Sequence, residues 1–161
     1  MSRIATFALL ALLALLAGCG FQLQGAYTTP PERERPYLET ADRHSLFYRT
    51  LRVALVQADV EVVDVPDAAT ATLVISYDET GERVLSVSAR NVPTEYEVFY
   101  TIEYSVDAGE KSLLSTQELT QTRDYTYDPT LVLGKAREQE LLREASADDL
   151  VRIVLKQISA L

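Results

Sequence analysis

Apolar residues change their spacing along the chain, and each change marks an element. An apolar run from Ile4 to Ala17 follows Arg3 and has about the length of a signal-peptide core. It falls short of the roughly twenty residues a membrane-spanning helix needs. The segment "AYTTPPERERP" at 26–36 combines prolines with alternating charges, a composition that stays extended and solvated. "YLET" at 37–40 predicts a short first strand. Asp42 then offers an N-cap to a helix over 43–58, with Phe47, Leu51, Ala54, Leu55 and Ala58 at helical spacing. "VEVVDV" at 60–65 returns to extended character, and Pro66 closes it.

From Thr72 onward the period drops from 3.6 to two, the signature of strands with one buried face. Leu73, Ile75 and Tyr77 share one face, "DETGE" at 78–82 predicts a break, and Leu85, Val87 and Ala89 resume the alternation. The clearest strand is 95–106. Tyr96, Val98, Tyr100, Ile102, Tyr104 and Val106 point one way, while Glu95, Glu97, Thr101, Glu103 and Ser105 point the other. Phe99 alone puts an aromatic ring on the polar face. "DAGEK" at 107–111 predicts a hairpin loop, and the Thr- and Gln-rich stretch 112–127 a strand suited to an edge or a wet partner. Asp128 and Pro129 predict a helix start, with an interruption near Gly134. Ala147, Leu150, Val151, Val154, Ile158 and Leu161 then form the apolar stripe of a second major helix. This order predicts an α+β fold, a mainly antiparallel sheet of about four strands with two helices packed on one face.

Three segments follow: 1–18 as a lipoprotein signal peptide, 19–35 as an acylated N-terminus and tether, and 36–161 as a single α+β domain. The 47% apolar content is enough for a core and excludes a disordered chain. The net charge of −9 opposes binding to nucleic acid, so an anionic ligand would have to be met by a few local cations. The single histidine, His44, and the single cysteine, Cys19, supply neither a metal site nor a nucleophile and base pair. Gly81, Gly109 and Gly134 stand alone, each at an expected break in regular structure, and form no phosphate loop. No catalytic residue, metal ligand or cofactor is expected, and the chain does not read as an enzyme.

The only thiol sits at the end of the apolar run, in "LAGC" at 16–19. This stretch resembles the lipobox of bacterial lipoproteins, in which lipid joins the cysteine sulfur and the chain is cut just before it. Cys19 would become the lipid-bearing N-terminus. An ordinary signal peptide would instead leave an exported thiol with no disulfide partner. Several acyl chains hold far better than one, since each buried methylene adds about 0.8 kcal/mol. Gly20 follows the cysteine, where an aspartate would signal inner-membrane retention in enteric-type bacteria, and so favours the outer membrane.

The chain carries "GCGFQLQG" at the acylation site, "RNVPTEYEV" at 90–98 and "RDYTYDPTLVLGKAREQE" at 123–140, in that order. With these motifs it resembles, over nearly its whole length, the lipopolysaccharide-assembly lipoprotein family LptE. The resemblance implies an outer-membrane, periplasm-facing protein that plugs the LptD β-barrel, helps it assemble and binds lipopolysaccharide on its way to the cell surface. It also implies that Arg90 and Lys135 bind lipopolysaccharide, since they match the family's basic residue before the Tyr-containing strand and its lysine after the Asp-Pro turn. Topology pairs them independently. The strand after Arg90 runs away from the 90–93 turn, the hairpin at 107–111 reverses it, and the returning strand brings 126–135 back to the same end. Arg123 or Arg137 could join them on a lipid A phosphate. An accessory lipoprotein of another outer-membrane machine, such as a pilotin with no lipid ligand, has the same lipobox, acidity and size.

Overall fold

A computed structural model of the chain describes residues 35–128 and 132–161. The signal and anchor segment with Cys19, the tether up to residue 34, and Pro129 of the expected helix start lie outside the described residues. Strand β1 (Pro36–Thr40) leads into helix α1 (Leu46–Gln57) and a 3-10 turn at Pro66–Ala68. Strands β2 (Ala71–Val87), β3 (Pro93–Ala108) and β4 (Lys111–Thr126) form a meander, and helix α2 (Val132–Ser159) completes the chain. The sheet order is β1-β2-β3-β4, which leaves β4 at an edge. β1 pairs with β2 in parallel because α1 carries the chain across between them, whereas the hairpins make β2–β3 and β3–β4 antiparallel.

Both helices cover one face of this mixed sheet. Phe47, Leu51 and Leu55 of α1 and Ala147, Leu150, Val151 and Val154 of α2 pack on Leu38, Leu73, Ile75, Tyr100, Ile102, Tyr104 and Val106. The alternation of β3 is therefore realised in full. Leu155 joins the buried stripe of α2, while Leu161 lies beyond the helix and is exposed.

α1 begins three residues later than its pattern suggests, since Ser45 rather than Asp42 is the N-cap: its hydroxyl accepts the Tyr48 N–H. Asp42 instead holds the preceding turn, accepting the His44 N–H at 2.7 Å, so His44 is exposed ahead of the helix. Residues 60–65 form no strand; Val63 makes one isolated bridge to Tyr37, and Val60 and Val63 are buried.

β2 runs without a break through "DETGE". Gly81 lies opposite Phe99 in the ladder, and a Cβ at position 81 would fall 2.7 Å from the ring's Cζ. The glycine is a seat for the Phe99 ring on the open face, so two irregularities of pattern explain each other. A register shift between Ile75 and Tyr77 also turns Tyr77 to the open face, away from Leu73 and Ile75. Gly134 interrupts nothing, since it lies inside α2. Of the three glycines, only Gly109 stands at a break, with φ +61 in the β3–β4 turn.

Candidate functional site

The hairpin from β2 to β3 is closed by Ser88–Val92. The Ser88 N–H donates to the Val92 carbonyl at 2.8 Å, the Asn91 N–H to the Ser88 carbonyl at 2.9 Å, and the Val92 N–H to the Ser88 hydroxyl at 3.2 Å. Asn91 adopts the left-handed conformation, φ 59, that its short amide side chain tolerates. The turn is thus pinned by its own hydrogen bonds. Arg90 sits on it, exposed, and its guanidinium has no ion pair or hydrogen bond among the described residues.

β4 ends beside the start of β3, with Tyr96 opposite Tyr125 and the Tyr127 N–H donating to the Thr94 carbonyl at 2.8 Å. Three tyrosines gather there. The rings of Tyr96 and Tyr125 stack at 5.6 Å, and Tyr127 meets Tyr96 edge-on at 5.5 Å. Lys135, in the first turns of α2, places Nζ 5.9 Å from the centre of the Tyr125 ring and 2.7 Å from Oε2 of Glu138. The Tyr125 hydroxyl donates to Glu82 at 3.2 Å, and the Gln139 amide donates to the same carboxylate. Burial, then Glu82, Tyr96 and Glu138, push the Tyr125 phenol up to about 12, so it stays a neutral donor.

Arg90 and Lys135 therefore lie at one end of the sheet, outside the core, in different electrostatic states. Arg90 is free to meet an anion directly. Lys135 is largely covered and already neutralised in part by Glu138, so an anion must share it or displace that carboxylate. The two cations expected to assist are engaged elsewhere: Arg123 pairs with Asp149, which also holds Arg152, and Arg137 pairs with Glu140 at 2.5 Å. The tyrosine cluster and the Glu82 hub escape a reading of periodicity alone. Their signal was the spacing of Tyr125 and Tyr127 in "RDYTYDP", set in register with Tyr96 by the hairpin. Among the described residues no group of three His, Cys, Asp or Glu side chains could hold a metal ion, and no helix is long and apolar enough to cross a membrane.

A two-layer α+β domain of this kind is shared with solved bacterial lipoproteins. Lipoprotein B of Nitrosomonas europaea superposes with a TM-score of 0.73 at 29% identity, over 88% of this chain and 91% of that one. The rare lipoprotein B of Shewanella oneidensis gives 0.68 at 25% identity, over 78% and 94%. The family profile described as "LptE: Lipopolysaccharide-assembly" matches residues 35–158, and the chain belongs to that family of Gram-negative envelope lipoproteins. Among its relatives, the LPS-assembly lipoprotein LptE of Pectobacterium atrosepticum is 29% identical over 95% of this chain and 85% of its own. That of Yersinia enterocolitica is 28% identical over 88% and 69%.

Proposed function

We propose that this chain is an outer-membrane lipoprotein, anchored through lipid on Cys19, that plugs the LptD β-barrel, helps it assemble and binds lipopolysaccharide in transit. In this reading it is a transport accessory and not an enzyme. Family membership supports the partners, and one structural observation carries the ligand site: an unpaired guanidinium at Arg90, at the same sheet end as Lys135, in a chain of net charge −9. Arg90 supplies a fork for a lipid A phosphate, and Lys135 a second charge held in place by the Tyr125 ring.

The test is capture of lipopolysaccharide by the full chain, wild type against Arg90→Asp/Lys135→Asp, at two salt concentrations, with LptD pull-down alongside. Charged hydrogen bonds contribute about 1.5–3 kcal/mol each, so capture is expected to fall roughly tenfold or more while LptD is retained. Equal capture by both proteins overturns the site. Loss of LptD with capture unchanged assigns these cations to the barrel interface, and failure to retain LptD even in the wild type favours another outer-membrane machine.

A further inference from the structure

Four large aliphatic side chains surround the turn that carries Arg90. Val84, Leu85, Val87 and Val92 are 48%, 46%, 52% and 47% exposed, and all lie within nine residues of sequence. Single exposed valines are ordinary, but four exposed aliphatics within nine residues of one turn are not. The turn between them is held by three internal hydrogen bonds, and each of the four side chains is about half exposed beside it.

The ladder links Val84 to the neighbourhood of the second cation. Val84 pairs with Tyr96 and Tyr96 with Tyr125, one row across three strands, and Lys135 lies over the Tyr125 ring. The row thus leads from Val84 through Tyr96 to the buried Tyr125 ring beneath Lys135, while the free guanidinium of Arg90 stands at the hairpin tip. A ligand that is only a phosphorylated sugar would use the cations and leave the aliphatics wet. One that is only a hydrocarbon would leave Arg90 without a counter-ion.

Resting on the ligand site proposed above, we propose that the β2–β3 hairpin tip is an acyl-chain contact: Val84, Leu85, Val87 and Val92 receive the chains of the lipid A whose phosphate Arg90 holds. The surface then selects an acylated phosphoglycolipid over its deacylated form. The charges alone could not make this distinction, because deacylation leaves both phosphates in place.

The experiment uses the full chain, immobilised by a tag, and two probes, intact lipopolysaccharide and fully deacylated lipopolysaccharide. The wild type is expected to capture the intact form about tenfold better. Val84→Ser/Val87→Ser/Val92→Ser is expected to abolish that advantage and leave capture of the deacylated probe unchanged. Val92→Ser alone, a change in the turn and outside the strands, is expected to remove part of it with an unaltered thermal melt. Val53→Ser/Val56→Ser, on the exposed side of α1, is expected to change nothing. The acyl contact is overturned while the charge site stands if the triple variant captures intact lipopolysaccharide like the wild type and Arg90→Asp/Lys135→Asp does not. It is also overturned if the wild type captures both probes equally, if the α1 variant loses as much as the hairpin variant, or if the hairpin variant loses LptD but no lipopolysaccharide. Capture of neither probe by the wild type overturns both proposals.

Discussion

Tyr100 shows how much one side chain can settle. Its ring is part of the core, 1% exposed, and its hydroxyl accepts the Phe47 N–H at 2.9 Å while donating to Asp78 at 2.8 Å. Phe47 is in the first turn of α1, where an N–H has no partner within the helix. The sheet therefore caps the helix. Ser45 adds a second link, since its hydroxyl accepts the Tyr48 N–H and donates to the other oxygen of Asp78 at 2.5 Å. Tyr100→Phe keeps the packing but leaves the buried Phe47 N–H unpaired, a loss of about 1–3 kcal/mol. Urea unfolding should show this as a lower midpoint with an unchanged slope. An unchanged midpoint would mean that water takes over the hydroxyl's role.

Among the elements, β3 was legible and β2 was only half so, for a physical reason. β3 has regular pleating with one face buried along most of its length, so side-chain parity reports the fold directly. β2 carries irregularities near positions 76 and 85, each of which moves later residues to the other face, and no periodicity rule survives such a shift. The end shared by Arg90 and Lys135 was readable because hairpin reversal depends only on strand order. The Glu138 partner and the tyrosine row depend on side-chain directions that strand order does not fix. Two glycines separate the same two kinds of information. Gly134 lies in α2 with nothing within 4 Å of an added Cβ, so Gly134→Ala should stabilise the protein by up to about 1 kcal/mol. Gly109 has equal space but a φ of +61, and Gly109→Ala should destabilise it by about 1 kcal/mol. Thermal melts of the two variants should shift in opposite directions; a shift of the same sign would show that free space, and not backbone conformation, decides both.

At the scale of the whole molecule, tyrosine couples core and site. Three tyrosines among the described residues sit where ionisation is opposed. Burial pushes Tyr104 up to about 12, and burial with Glu82 does the same to Tyr125. Tyr100 is raised further, by burial first and then by the Asp78 carboxylate beside it. Each phenol is neutral while it keeps its proton, so the folded protein holds these protons more tightly than the unfolded chain, where tyrosine titrates near 10. The stability this contributes is complete below about pH 10 and drains away as pH rises towards about 12. Phenolate absorbance and circular dichroism are followed together in an alkaline titration. The phenolate signals of Tyr100, Tyr104 and Tyr125, read as the difference from each Tyr→Phe variant, are expected to appear only as the helical signal collapses. If those of Tyr100 and Tyr104 appear near pH 10 while the dichroism is unchanged, the core does not exclude water from them, and the packing of both helices on the sheet is looser than the buried residues imply.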